Sequence, residues 1–142
     1  MNPIFFAVGA ALAYGFLATF HKLAAPHINQ IFGAMMISFT ALTAGALILF
    51  GSMQHPSPLL THPRAFLFVI LAGIAAFCVD FFALRAYARG LPVSIGAPII
   101  IGGGIALAVV IGLFLGESLT WLKGIGLVML IAGATVLAAL AR

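Results

Sequence analysis

The chain has 142 residues, of which 65% are hydrophobic and only 6% charged, and its formal net charge is +4. Soluble domains carry about 25% charged residues, so this composition excludes a soluble domain and indicates an integral membrane protein. The six Lys and Arg residues stand one or two at a time near the ends of apolar runs. This placement favours the bilayer surface as their partner and argues against nucleic acid.

About five spans of roughly 20 residues fit the length and leave no room for a soluble domain. We therefore predict an all-α, polytopic fold, with residues 1–142 as a single transmembrane domain. The first helix is predicted over residues 3–23. Its small residues share one side with Tyr14 and His21, a face expected where helices approach closely or line a cavity. His21 and Lys22 are interpreted as markers of the membrane interface.

The second helix is predicted over residues 31–53. Residues 54–63 contain three prolines, which forbid a helix and predict a surface loop. The loop also holds His55 and His62, but no third ligand or motif spacing accompanies them, so neither a metal nor a cofactor is expected. Cys78 is the only cysteine, which excludes a disulfide within the chain.

The third helix, predicted over residues 65–88, holds the only carboxylate inside an apolar run, Asp80. An ionised Asp costs about 2.5–3.5 kcal/mol at the bilayer centre, which the apolar neighbours offset. At 100° per residue, Asp80 shares a stripe with Tyr87 and with three small residues, Gly73, Ala76 and Ala83. An ionisable group at membrane depth is a functional candidate. The alternative is a protonated Asp that is bonded to a neighbouring helix.

Arg85 lies about 140° round this helix from Asp80, and Arg89 about 180°. A salt bridge between Asp80 and Arg85 within the helix is therefore not expected. We interpret both arginines as anchors that reach the headgroups. A role for Arg85 in binding an anionic substrate stays open.

Gly90 and Pro92 predict a helix stop and a new start. The fourth helix, residues 93–115, contains Pro98 and three consecutive glycines, Gly102, Gly103 and Gly104. Proline removes a backbone hydrogen bond and the glycines weaken the next turn, so we predict a pliable break. Such a break persists in a membrane only where protein or a cavity satisfies the freed carbonyls, so it should line the site.

Gly112 and Gly116 have GxxxG spacing, which predicts close packing against a partner helix. Glu117 comes just before the fifth helix, residues 120–140, and is interpreted as a cap near its positive end. Lys123 and Arg142 fit the two membrane interfaces.

Three segments together resemble a known family: GLPVSIGAP at 90–98, LGESLT at 115–120, and AYG at 13–15 followed by Lys22. They resemble the EamA-like unit of the drug/metabolite transporter superfamily over nearly the whole chain. The resemblance implies a multi-pass carrier of small metabolites or drugs in the inner (plasma) membrane. Larger members carry two such units in opposite orientations. This chain resembles the small five-helix bacterial and archaeal group, one half of an inverted-repeat transporter that assembles as a dimer.

The N-terminal stretch is more distantly similar to the small multidrug-resistance proteins, whose first helix carries a glutamate that binds cationic drug and proton. Tyr14 stands at that position here, and the first helix has no acid. Asp80 is therefore the one deep acid that could take over the role.

Five helices place the termini on opposite sides of the membrane. The basic residues favour an external N-terminus by three or four residues to two. So small a bias permits both orientations, and an antiparallel homodimer would enclose a midplane site.

The expected substrate- or proton-binding residues are Asp80, Tyr87, Tyr14 and Arg85. We expect a transporter of a small organic metabolite or drug, with proton coupling through Asp80 left open. The open alternatives are a flippase for a lipid-linked sugar and a non-transporting membrane subunit or assembly partner. An enzyme is disfavoured, with no catalytic residue predicted, because a single deep acid lacks a positioned base, nucleophile or metal set.

Overall fold

A computed structural model describes residues 3–52 and 63–139 of the chain. The described residues form five long helices and one short 3-10 turn, Ala25–His27, without a strand: α1 (Pro3–Ala24), α2 (Gln30–Ser52), α3 (Pro63–Ala88), α4 (Val93–Phe114) and α5 (Trp121–Ala139). All five helices are long and apolar enough to cross a membrane. The predicted all-α, polytopic fold is confirmed.

The observed helix bounds lie within two residues of those predicted from the sequence. Several predictions fall outside the described residues: the helix ends at Met53 and Leu140, the loop histidines His55 and His62, and the interface role of Arg142. The single domain over residues 1–142 stays a prediction.

The start of α2 is fixed by Asn29. Its side-chain Oδ1 accepts hydrogen bonds from the backbone N–H groups of Ile31 at 3.0 Å and Phe32 at 3.2 Å. This cap satisfies two of the donors that a helix start leaves open. Just beyond it, α2 comes close to α3, since a Cβ added to Gly33 would lie 2.8 Å from Leu84 Cδ1.

The turn between α3 and α4 depends on Gly90, whose φ of 96° favours glycine. The backbone N–H of Gly90 bonds to the carbonyl of Tyr87 at 3.0 Å, and that of Leu91 to the carbonyl of Ala86 at 3.3 Å. This pattern is a Schellman motif, which satisfies the last carbonyls of α3. The predicted helix stop at Gly90 is confirmed.

Gly112 and Gly116 form a turn instead of the predicted helix contact. Gly116 lies beyond the last residue of α4 with φ 89°, and the N–H of Glu117 bonds to the carbonyl of Gly112 at 2.9 Å. A Cβ on Gly112 would lie 3.0 Å from Glu117 Oε2. Within the described chain, these glycines fold Glu117 back onto α4. The cap of α5 is Thr120, whose Oγ1 accepts a hydrogen bond from the N–H of Lys123 at 3.4 Å.

The break predicted in α4 does not interrupt the helix, because α4 is a single helix with Pro98 inside it. The predicted pliability stays a prediction. Gly102 is buried, and a Cβ there would lie 3.3 Å from Ala134 Cβ of α5. Pro98 and Gly102 line one groove with residues of α5, and Gly102 and Gly103 line a second one. Gly103 and Gly104 are exposed. Gly102 therefore serves the approach of α5 to α4 and does not break the helix.

Packing is uneven along the bundle. The buried apolar cluster lies where α1 and α3 end and where α2 and α4 begin; we call this the packed end, and its members are Ala25, Ala34, Ala83, Leu84 and Tyr87. At the opposite side of the membrane, which we call the open end, the small residues of α1 and α3 are exposed: Ala7, Ala11, Gly73 and Ala76. The predicted stripe of α3 is therefore packed only in its second half.

Candidate functional site

Asp80 of α3 faces His21 of α1 beside the packed end. Asp80 Oδ1 and His21 Nε2 are 3.3 Å apart, and the two residues are only 8% and 4% exposed. The distance suits an ion pair, but Nε2 lacks a partner with hydrogen-bond geometry. Asp80 thus points inward, as its stripe predicted, and its neighbour is a histidine that the sequence analysis had placed at the interface.

Small residues bring the two polar side chains together. Ala18 lies three residues before His21 on α1, and Ala83 three residues after Asp80 on α3, so each shares the face of its polar neighbour. Ala18 and Ala83 are 4% and 3% exposed. Small side chains at such a crossing let helix backbones approach closely, which brings the imidazole within reach of the carboxylate.

Two tyrosines complete the site. Tyr14 is half-buried and lies near Asp80 and Tyr87. Tyr87 is 2% exposed, and its hydroxyl has no hydrogen-bond partner among the described residues. A buried polar group without a partner costs about 1–3 kcal/mol. The hydroxyl of Tyr87 and Nε2 of His21 are therefore two groups that a water molecule or the polar part of a ligand would satisfy.

Arg85 does not join the site. Its side chain is exposed, and its guanidinium carbon lies 5.9 Å from the centre of the Phe81 ring. The structure thus brings together three of the predicted binding residues, Asp80, Tyr14 and Tyr87. The side chain of Arg85 is exposed on α3, and its role in binding an anionic substrate stays a prediction.

Lys22 ties α1 to the end of α3. Its Nζ donates hydrogen bonds to the carbonyl of Leu91 at 2.9 Å and to that of Tyr87 at 3.4 Å. A cation is favourable at this position because the carbonyls at a helix C-terminus carry partial negative charge. We call these two bonds the Lys22 clasp. It gives Lys22 a defined contact within the bundle, and the position of Lys22 at the membrane interface stays a prediction.

The site is covered on one side only. Leu84 and Ala34 are fully buried at the packed end, and a Cβ added to Gly96 of α4 would lie 2.6 Å from Tyr87 Cε1. The faces of α1 and α3 on the other side of Asp80 are exposed. The site therefore faces the open end. A carboxylate beside an imidazole can bind a cation or exchange a proton.

The sequence analysis missed His21 as a site residue, although one signal was present. His21 lies on the same side of α1 as Tyr14, and an imidazole is a suitable partner for a carboxylate at membrane depth. The neighbouring Lys22 led to the interface interpretation. Among the residues that the structure describes, no three His, Cys, Asp or Glu side chains are grouped to hold a metal.

The model of the EamA-like transporter family matches residues 1–139. The chain belongs to the EamA-like transporter family. No curated protein and no solved structure matches the chain. In this EamA-like protein, segment 90–98 includes Leu91, which accepts a bond of the Lys22 clasp, and segment 115–120 forms the turn between α4 and α5. EamA-like membership and the five apolar helices make the chain a multi-pass membrane protein with a transporter-like function.

Proposed function

We propose that the protein carries a small organic molecule, a metabolite or drug, across the inner (plasma) membrane, and that it binds this molecule beside Asp80 and His21. The family supports a carrier. The observation on which the proposal mainly rests is the buried contact between His21 and Asp80 inside two membrane spans. Apolar residues would join α1 to α3 at lower free-energy cost, because burying two ionisable groups carries a large desolvation penalty.

Proton coupling follows from the charge of the same pair. With Asp80 ionised and His21 neutral, the pair has one negative charge, which one proton neutralises. A substrate amine supplies the same charge, and Tyr14 adds cation–π attraction. Proton and cation therefore compete for Asp80, so that a proton gradient can drive the cation across the membrane.

Uptake into liposomes tests this function. The purified protein is first screened for compounds that raise its melting temperature, and each stabilising compound is then offered to proteoliposomes with and without a pH gradient. We expect at least one amine-bearing compound to enter faster with the gradient than without it. A carrier role would be refuted if none of the stabilising compounds crossed the membrane faster than in protein-free liposomes.

We further propose that two copies assemble in opposite orientations. The open end leaves small residues exposed on α1 and α3, the kind of surface that permits close helix contact in membranes: Ala7, Ala11, Gly73 and Ala76. A second copy seated there would cover the open side of the site. In opposite orientation it would also complete the inverted repeat around a midplane site.

Topology reporters fused to either terminus test this arrangement. We expect each terminus to be found on both sides of the membrane, since the basic residues at the two ends are nearly balanced. Lys123→Gln removes a charge from the open end and should shift the population towards an external N-terminus. A single fixed orientation of the unmodified chain would rule out the antiparallel dimer.

A further inference from the structure

A basic pair lies on the side of α3 that does not face Asp80. Arg85 and Arg89 are both exposed, and residues four apart are neighbours on a helix surface. Together with Phe82 and Ala86 they line one cavity of about 300 Å³. The two guanidinium groups can therefore reach the same small anion.

No acidic side chain of this protein neutralises the pair. The sequence contains two acidic residues, Asp80 and Glu117. Asp80 is buried against His21 on another side of α3, and Glu117 folds onto Gly112 at the far end of α4. Neither acidic side chain of the sequence therefore supplies the counter-charge of Arg85 and Arg89.

The depth of Arg85 and Arg89 in the membrane indicates which kind of molecule supplies their counter-charge. The apolar span containing α3 ends at Ala88, so Arg85 lies about one turn inside its end and Arg89 just beyond it. Phe82 is 64% exposed beside the pair, and Arg85 lies over the ring of Phe81. Headgroup phosphates lie at this level of a bilayer, and an exposed aromatic ring below them suits acyl chains.

We propose that Arg85 and Arg89 bind the phosphate of a net-negative phospholipid in the leaflet at the packed end. Guanidinium groups bind phosphate oxygens through paired, charge-assisted hydrogen bonds. A zwitterionic lipid carries the same phosphate together with a cationic group that the two arginines repel. The site therefore selects phosphatidylglycerol over phosphatidylcholine.

Native mass spectrometry of the purified, delipidated protein, titrated with each lipid, tests the proposal. A basic residue near an anionic lipid contributes about fivefold in affinity. We expect Arg85→Gln/Arg89→Gln to weaken binding of the first phosphatidylglycerol about 25-fold and to leave phosphatidylcholine unchanged. Lys123→Gln is the matched control, since it removes an exposed charge at the open end, and it should leave this binding step unchanged.

Further variants and competition with inorganic phosphate complete the test. The single Gln variants should each lose about fivefold. Arg85→Lys/Arg89→Lys should bind more weakly than the unmodified protein, because the paired hydrogen bonds are lost, and more tightly than the double Gln variant, because the charges remain. These variants carry the test where the double Gln variant fails to fold. Millimolar inorganic phosphate should not displace the lipid; displacement would overturn the lipid assignment in favour of free phosphate. The proposal is also refuted by equal phosphatidylglycerol affinity in the unmodified protein and the double Gln variant, or by an equal loss in Lys123→Gln.

Discussion

Asp80→Asn is expected to abolish transport driven by a pH gradient and to weaken binding of a cationic substrate about ten- to hundredfold, because a charged hydrogen bond contributes about 1.5–3 kcal/mol. Asn keeps the size of Asp and can still lie beside His21, so the helix contact is preserved. The substitution removes the negative charge for which a proton and the substrate amine compete. Uptake in proteoliposomes and the melting-temperature shift caused by the substrate measure both effects.

Glu117→Gln is the matched control for Asp80→Asn. It neutralises the other acid of the chain, which is exposed at the turn after α4, and should leave uptake unchanged. His21→Gln should retain substrate binding and its competition with protons, because both depend on the carboxylate of Asp80. If Asp80→Asn transported every substrate as fast as the unmodified protein, with the same response to pH, Asp80 would have no part in the reaction.

Gly96→Val is expected to cost about 3 kcal/mol of stability, the upper end for an overpacked core. The first added carbon alone would lie 2.6 Å from Tyr87 Cε1 and 2.9 Å from Leu91 Cδ2. Tyr87 is 2% exposed, so its ring has little room to retreat. The gain in helix propensity over glycine is only a few tenths of a kcal/mol and does not offset the clash. The melting temperature in detergent measures the loss.

Gly103→Val provides the comparison on the same helix. An added Cβ at Gly103 has nothing within 4 Å, and an exposed substitution of this kind changes stability by about 0.5 kcal/mol or less. Because the two variants add the same atoms to the same helix, their difference isolates the contact with Tyr87. Equal melting temperatures for the two would show that α3 and α4 do not pack as described.

The helices could be predicted from the sequence because few backbone structures are stable in lipid. Every backbone polar group must be satisfied within the membrane, so a long apolar run forms a helix. Gly90 could be placed because only glycine readily adopts the left-handed conformation that ends a helix in this way. The inward direction of Asp80 followed from 100° per residue, which is a property of one helix alone.

The pairing of Asp80 with His21 could not be predicted in the same way. Periodicity gives a direction around each helix but does not say which helices are neighbours or at what height they cross. The break predicted from Pro98 and the glycines of α4 was not found, for a related reason. A proline can be accommodated inside a membrane helix by neighbouring groups, and Gly102 makes room for α5, so the tertiary contact decided what the local pattern could not.

The Lys22 clasp couples two events that would otherwise be separate. Lys22 and His21 are consecutive residues of one rigid helix, and the first is held by the carbonyls of Tyr87 and Leu91 while the second lies against Asp80. A tilt of α1 away from α3 would separate the Lys22 ammonium from both carbonyls. It would separate the His21 imidazole from the Asp80 carboxylate at the same time. Loss of the Lys22 clasp and separation of His21 from Asp80 would therefore occur together.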